Sequence, residues 1–358
     1  MLGRPLEHHW INITDGKVES ISASPAYLPA QHLGDRSVIL PAAISAHAHL
    51  ELSQLASPLD VPSRSMSDWV AALLAFRRSP KYSADEGIRQ ALCRPEVLES
   101  IAIADVVQRK SGGLTPLDDV ARESLGEKSG GVSPPLLRSY TELIAWRSDQ
   151  IDNDIPHSFG LSPHAPHTVC PALLEWAIRQ NVPLAMHLAE TPEELELLQH
   201  HTGPLLEMMR RADSDYDPKS VLLGKHPMDY LQLLSAAPRV LVIHGNYLDD
   251  EELRFLAAHR DTMSVVYCPR SHAYFRHTAY PLQKMLDYGV RVLLGTDSLA
   301  SVPNLSLVEE MQFALQQHPM VLPEVVYRMG TSDGAMVLNL PMGVGSIQPG
   351  SPARFAIF

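Results

Sequence analysis

The feature that most constrains the fold is a repeated alternation of short apolar runs with helix-like segments. Six clear runs are SVILPAAISAHAH, SFGLSPHA, VPLAMH, VLVIHG, MSVVYCPR and VRVLLGTD, and the weaker runs ESIAIADVV and LLRSYTELI lie between the first two of them. Helix signals stand between the runs, as where Thr191 precedes Pro192 and two glutamates. Eight strands alternating with helices predict an α/β fold, the (β/α)8 TIM barrel.

The two ends of the chain differ from this pattern. The pieces HWINI and KVESISA flank a DGK turn near the N-terminus, and the C-terminal stretch GVGSIQPGSPARFAIF again mixes turn and strand signals. Terminal strands on either side of a barrel can pair in space. We therefore predict a barrel over residues 41–337 and a small satellite β-sheet domain built from residues 1–40 and 338–358.

Charge and hydropathy restrict the partners. The chain of 358 residues has 29 basic and 41 acidic side chains, a formal charge of −12. This charge argues against binding nucleic acid or an anionic membrane through bulk electrostatics. No apolar run approaches the roughly 18 residues needed to cross a bilayer, and no apolar segment of signal-peptide length opens the chain. We expect a cytoplasmic protein with no nucleic-acid or membrane partner, for which a homo-oligomer is a possible assembly.

Metal-competent side chains stand at the ends of the predicted strands, where the active site of a TIM barrel lies. The first run ends in His47 and His49, which share one side of an extended segment because they are two residues apart. The later runs end in His187, His244 and Asp297. Each of these is weak evidence alone, since a single buried histidine is more often a core residue. Together, imidazoles and one carboxylate suit Zn²⁺ or Fe²⁺ and leave room for a water.

Several stretches resemble the metal-dependent amidohydrolase superfamily. They are PAAISAHAHLELS, GLSPHAPHTV, PLAMHLAETPEELELL, VIHGNYLDDEEL, VVYCPRSHAYF, LLGTDSLAS and GSIQPGSPARF, and they run in order over residues 41–358. The chain is most similar to the branch that contains cytosine deaminase, the triazine chlorohydrolases, S-adenosylhomocysteine deaminase and aminodeoxyfutalosine deaminase, and it looks closest to the last of these.

The resemblance implies a ligand set for one divalent metal: His47, His49, His187 and Asp297. It also implies that Glu190 shuttles protons and that His244 hydrogen-bonds the reacting water or oxyanion, so that Glu190, His244 and Asp297 are the catalytic residues. Binuclear relatives use a carboxylated lysine at the end of the fourth strand, and SFGLSPHAP contains none. A single metal is therefore favoured, with Zn²⁺ preferred and Fe²⁺ acceptable to the same ligands.

Candidate substrate contacts come from the loops after the strands. His164 and His167 follow the fourth strand, where the family pattern HAPYT has tyrosine in place of His167. One of the two histidines could instead cap the helix that starts near Pro171. Glu51 could bind a hydroxyl or amine of the substrate, or could orient His49 from behind the metal.

Arginines are the candidates for binding an anionic group. Arg270 follows the seventh strand and could hold a carboxylate through two parallel hydrogen bonds, although a structural ion pair is the open alternative. Arg77 and Arg78 are weaker candidates, because basic residues at the end of a helix are common for dipole reasons.

The predicted function is hydrolytic deamination of an aminated heterocycle with one metal-activated water. The small-molecule substrate implied by the resemblance is an adenine-bearing nucleoside such as aminodeoxyfutalosine or S-adenosylhomocysteine, with a preference for a carboxylate tail. A chlorohydrolase or cyclic amidohydrolase with the same site is an alternative. A catalytically dead binding homologue is a third, and it is disfavoured because the ligands and Glu190 are all present.

Overall fold

The computed structural model describes residues 6–25, 30–34, 37–108, 133–152, 154–155 and 159–358. In chain order its strands are β1 (Trp10–Thr14), β2 (Lys17–Ser22), β3 (Ile39–Pro41), β4 (Ala43–Ala48), β5 (Ser100–Gln108), β6 (Leu136–Leu143), β7 (Gly160–Pro163), β8 (Leu184–Leu188), β9 (Val240–His244), β10 (Met263–Tyr267), β11 (Val292–Leu294) and β12 (Phe355–Ile357). Each of the eight predicted runs contains one of the strands β4 to β11, including the two weaker runs.

Helices follow the strands. They are α1 (Met66–Arg77), α2 (Ala84–Leu92), α3 (Pro95–Leu98), α4 (Pro171–Arg179), α5 (Pro192–His200), α6 (Pro204–Ala212), α7 (Pro218–Val221), α8 (Pro227–Leu234), α9 (Asp250–Ala258), α10 (Pro269–Tyr274), α11 (Leu282–Tyr288), α12 (Leu307–Gln317), α13 (Pro323–Met329) and α14 (Ser332–Val337). Short 3₁₀ turns cover Leu50–Leu52, Ser148–Gln150 and Pro166–Thr168. Within the described residues, no helix is long and apolar enough to cross a membrane.

The strands β4 to β11 form one eight-stranded parallel sheet in sequence order, and its two edges meet. A parallel bridge joins Ala48 to Asp297. The backbone N–H groups of Thr296 and Asp297 donate to the His47 carbonyl at 2.9 and 3.2 Å. The sheet therefore forms a (β/α)8 barrel, as predicted. Its seam places the first and last strand ends, with His47 and Asp297, side by side.

Alternation along the strands separates the barrel interior from its outer face. Ala104, Tyr140, Ala185 and Ile243 belong to a buried cluster drawn from alternate positions of the strands. The intervening residues, such as Leu143, pack in a second cluster with the surrounding helices. Since side chains two residues apart face the same side of a strand, residues just beyond this interior cluster reach the barrel mouth.

The helix-start signals act as the sequence indicates. The Thr191 side chain accepts a hydrogen bond from the Glu194 backbone N–H, and Pro192 occupies the first position of α5. Asp249 caps α9 and forms a capping box with Glu252. Because both helices start within a few residues of β8 and β9, the segments that carry Glu190 and His244 are short and tightly fixed.

The termini form small antiparallel sheets, as predicted, although they are two separate pairs and not one sheet. β1 pairs with β2, and β12 pairs with β3. The hairpin is also tied to the C-terminal segment, because the Val18 N–H donates to the Ser351 carbonyl and the Gly350 N–H donates to the Val18 carbonyl, each at 2.8 Å. The domain boundaries at residues 40 and 338 stay a prediction.

Candidate active site

Three histidines converge at the barrel mouth. His47 and His49 end β4, His187 lies in β8, and one ring nitrogen from each lies within 4.8 Å of the other two. The Nε2 atoms of His49 and His187 are 3.4 Å apart. Two nitrogen ligands of one tetrahedral zinc ion, each at 2.0–2.1 Å from it, are about 3.3–3.4 Å apart. The spacing of these two rings therefore fits a shared cation.

Hydrogen bonding sets the tautomer of His187. Its Nδ1 lies 3.0 Å from the His164 carbonyl, which can only accept, so Nδ1 carries the hydrogen and Nε2 carries a lone pair. That lone pair points toward His49. Among the described residues, neither ring nitrogen of the fully buried His47 has a hydrogen-bond partner. Buried polar atoms normally have partners, and a metal ion bound by this ring would supply one.

Asp297 adds a carboxylate from the loop after β11. Its Oδ1 lies 3.8 Å from Nε2 of His47. Its Oδ2 accepts hydrogen bonds from the hydroxyls of Ser271 at 2.5 Å and Ser301 at 3.0 Å. The backbone of Asp297 has a φ of +60°, a left-handed conformation that is rare outside glycine. Such strain concentrates at functional sites, and here it turns the carboxylate toward the histidines.

Burial makes the histidines good ligands. Desolvation and the neighbouring imidazoles hold the pKa values of His47 and His187 well below the usual range. Both rings are therefore neutral at pH 7, the form that binds a metal. The donor set of three imidazoles and one carboxylate fits a divalent metal ion.

Glu190 and His244 form a pair beside this centre. Oε1 of Glu190 lies 3.2 Å from Nε2 of His244, and both side chains are largely buried. Burial and the negative charges of Asp297 and Glu194 raise the pKa of Glu190 well above the usual range for a carboxyl group. Burial is the main cause that lowers the pKa of His244 to about 4. The carboxyl group can therefore hold a proton near neutral pH while the imidazole stays uncharged.

His164 lies next to His187, and His167 lies on the other side of His164. The centroid of the His164 ring is 5.1 Å from that of His187 and 6.0 Å from that of His167. The Nδ1 atom of His164 is 2.8 Å from the Thr168 hydroxyl, and the His164 side chain is 29% exposed. His167 is buried, and burial lowers its pKa to about 3. Of the two, His164 is open to the mouth, whereas His167 lies in the wall.

The model of the amidohydrolase family matches residues 147–358, which include His187, Glu190, His244 and Asp297. The chain belongs to the amidohydrolase family. The family model begins after His47 and His49, so their assignment as ligands depends on the convergence described above.

Two curated relatives and one solved structure illustrate the similarity of this amidohydrolase. Aminodeoxyfutalosine deaminase of Deinococcus radiodurans is 28% identical over 85% of this chain and 74% of its own length. The 5-methylthioadenosine/S-adenosylhomocysteine deaminase of Halalkalibacterium halodurans is 27% identical over 98% and 80%. The crystal structure of Helicobacter pylori aminofutalosine deaminase with methylthio-coformycin has a TM-score of 0.77 at 22% identity, over 99% of this chain and 88% of that one. The last comparison shows the shared fold.

The structure corrects the prediction for Arg270. Its side chain is buried, and all five of its N–H donors are used within the protein. Nε donates to Glu310 at 2.7 Å, and the terminal nitrogens donate to Glu309, Asn304 and the Ser306 carbonyl. The structural ion pair is therefore the correct alternative. No donor of Arg270 is left for a substrate carboxylate.

Glu51 also has a structural environment that the amidohydrolase resemblance did not reveal. It is fully buried, with one oxygen 2.5 Å from Nη2 of Arg77 and the other accepting the Gln108 backbone N–H at 3.1 Å. Tyr82 adds a side-chain hydrogen bond. Among the described residues no hydrogen bond joins Glu51 to His49. The predicted contact of Glu51 with substrate is corrected to a buried network with Arg77.

Sequence reasoning missed three residues at this site. Ser271 and Ser301 hold Asp297, and their nearness is visible only once β10 and β11 are side by side. Glu142 ends β6, where its side chain is almost fully buried 4.0 Å from Nε2 of His164. The spacing of Tyr140 and Glu142 in LLRSYTELI could have indicated an inward carboxylate, but that run is only weakly strand-like.

Proposed function

We propose that this amidohydrolase is a metal-dependent hydrolytic deaminase that converts the adenine group of a nucleoside to hypoxanthine. The convergence of His47, His49, His187 and Asp297 beside the Glu190–His244 pair carries the proposal. It is supported by two relatives, each aligned over more than four-fifths of this chain, whose names describe deaminases of adenine-bearing compounds.

The proposed metal is Zn²⁺, because imidazole-rich sites with one carboxylate and an open position suit it. Bound by the four ligands, it would supply Lewis-acid activation of water near neutral pH. The φ of +60° and the two serine hydroxyls at Oδ2 fix Asp297 with its Oδ1 toward His47. In this role Asp297 accepts the proton that the water gives up.

Glu190 is the proposed general acid. Its raised pKa favours the protonated carboxyl group, from which a ring nitrogen of the base can be protonated while the adjacent carbon is attacked. Asp297 can then pass the water proton to the departing amino group, which leaves as ammonia, while the second proton of the water returns from the product oxygen to Glu190. His244, held 3.2 Å from Glu190, stabilises the oxygen on which negative charge develops.

A preference for a substrate with a carboxylate tail would need a cation other than Arg270, the residue that the sequence suggests. Arg270 is enclosed and Arg77 is paired with Glu51. Arg78 lines a cavity of about 530 Å³ between α1 and α6, together with Arg211. We propose Arg78 as the residue that would meet a carboxylate tail. Cytoplasmic location and homo-oligomer formation stay proposals, which cell fractionation and light scattering would test.

The decisive experiment measures ammonia release and metal content on the same samples. Purified protein should carry about one zinc ion per chain and release ammonia from adenine nucleosides. His187→Ala should lose the metal and the activity, whereas His200→Ala, an exposed histidine at the end of α5, should keep both. If a pyrimidine or a chlorotriazine reacts and no adenine compound does, the substrate class is wrong. Two tightly held ions per chain would contradict the single-metal proposal.

A further inference from the structure

Glu142 is a buried carboxylate at the barrel mouth that the proposed mechanism does not use. It follows Tyr140 by two residues on β6, and Tyr140 lies in the interior cluster of the barrel. Glu142 therefore faces the interior at the end of the strand where the metal ligands are. Its side chain is only 2% exposed. A carboxylate in such a position is costly unless its oxygens are well partnered.

One oxygen of this carboxylate lacks a partner. The Gln108 side chain donates a hydrogen bond to the group, but Oε2 has no hydrogen-bond partner among the described residues. The other oxygen, Oε1, lies 4.0 Å from Nε2 of His164. This separation is too long for a direct hydrogen bond, so the two groups face each other across a gap.

The gap is bordered by two acceptors. The Thr168 hydroxyl donates its one hydrogen to the Ala165 carbonyl at 3.1 Å, so its oxygen accepts from Nδ1–H of His164 at 2.8 Å. A neutral His164 then presents the lone pair of Nε2 toward Glu142. Two acceptors facing one gap repel each other and can be satisfied together only by a group with two donors.

Apart from the proposed metal, the ionised side chains around this gap disfavour an anion. Glu51 and Glu142 are both buried, and the cation close to them is Arg77, whose Nη2 is already bound to Glu51 at 2.5 Å. Two carboxylates with one guanidinium leave a net negative charge. A carboxylate or phosphate would be repelled by the two carboxylates, whereas hydroxyl groups could donate hydrogen bonds there.

From these contacts we infer that Glu142 and His164 form a subsite that binds the two adjacent hydroxyls of the substrate's sugar. Hydroxyls on neighbouring carbons, each about 2.8 Å from its acceptor, fit acceptors that are 4.0 Å apart. One hydroxyl donates to the Glu142 carboxylate and the other to Nε2 of His164. The inference depends on the proposed function for the identity of the ligand, a nucleoside, but the donor requirement comes from the two acceptors themselves.

The test compares adenosine with its 2′-deoxy and 3′-deoxy analogues in kcat/KM. Wild type should lose about 10- to 100-fold for the hydroxyl that Glu142 binds, the range for a hydrogen bond to a charged group, and about 2- to 10-fold for the hydroxyl that neutral His164 binds. Glu142→Ala should reduce adenosine turnover by a similar factor and should no longer distinguish adenosine from the analogue whose hydroxyl it bound. Glu142→Gln keeps one acceptor oxygen, so its kcat/KM for adenosine should lie between the values of wild type and Glu142→Ala. Glu99→Gln, an exposed glutamate just before the opposite end of β5, should behave as wild type.

A binding measurement separates this inference from the proposed reaction. Calorimetry of the zinc-loaded protein with inosine and 2′,3′-dideoxyinosine needs no turnover, and wild type should bind inosine at least about tenfold more tightly. Equal binding of the two by wild type, or a preference of undiminished size in Glu142→Ala, would overturn the inference. If wild type prefers inosine, Glu142→Ala weakens that preference and no ammonia is released, only the proposed reaction is overturned. Thermal unfolding and metal content of each variant show whether it is folded and loaded.

Discussion

The sharpest prediction concerns Glu190→Gln. The replacement amide has the shape of the carboxyl group and can still reach His244, whose Nε2 is 3.2 Å from Oε1. It carries no proton that it can transfer, and Glu190 is outside the group of histidine nitrogens that lie within 4.8 Å of one another. We therefore expect metal content near wild type and a fall in kcat by about 10² or more, the usual cost of a lost general acid or base.

The magnitude follows from the environment of the carboxyl group. Burial beside Asp297 and Glu194 raises the pKa of Glu190 well above the usual range for a carboxyl group, which favours the protonated form. Water can replace this donor only poorly, because the side chain is mostly buried. Little of the activity should therefore be recovered through solvent, and KM should change less than kcat, since the amide preserves the contacts of the ground state.

The assay is steady-state ammonia release with metal quantified in the same preparation. Glu196→Gln on α5, the helix that follows Glu190, is the control, because its side chain contacts Thr202. Loss of metal from Glu190→Gln would show that the residue is a ligand. A kcat within a few-fold of wild type, with metal retained, would show that protons travel by another route.

Further outcomes follow from the same contacts. Ser271→Ala removes one of two hydrogen bonds to Oδ2 of Asp297 and should weaken zinc affinity about 10- to 100-fold in a chelator competition, and unchanged affinity would refute the positioning role. Arg78→Ala should lower the kcat/KM preference for a carboxylate-tailed nucleoside over adenosine by about tenfold or more, with adenosine turnover kept. Burial raises the pKa of Glu194 to about 7 from 4.5, so this carboxyl group stabilises the fold below pH 4.5 and loses that contribution as the pH rises through 7. Urea denaturation should show the free energy of unfolding falling over this interval by on the order of 3 kcal/mol, and Glu194→Gln should flatten the slope. Arg270→Met should lower the free energy of unfolding by about 3–5 kcal/mol by leaving Glu310 unpaired, and adding Glu310→Leu should restore part of it.

The barrel was predictable because its signals are local. Each apolar run holds one strand, and the cap at Thr191 starts α5 where the sequence indicates. The weak run LLRSYTELI also forms a strand, since its pairing with β5 and β7 compensates for its mixed composition. The convergence of His47, His49 and His187 was predictable for a related reason. Parallel strands bring their carboxyl ends to one edge, so the last polar residue of each run is placed near the others.

The polar environment around each side chain was not predictable, because it depends on residues far apart in the sequence. Arg270 directly follows β10, so the sequence places it at the barrel mouth. Glu310, 40 residues later, nevertheless packs against it and accepts a hydrogen bond from its Nε. The sequence gives no measure of how many donors remain free, and that count decides whether an arginine binds substrate or holds the fold. Glu142 is the opposite case: a weak run concealed it, and only the packing of Tyr140 beneath it shows that its carboxylate is directed inward. For both residues the chemical nature of the side chain is evident from the sequence. The role of each side chain is set by the residues that the barrel fold places against it.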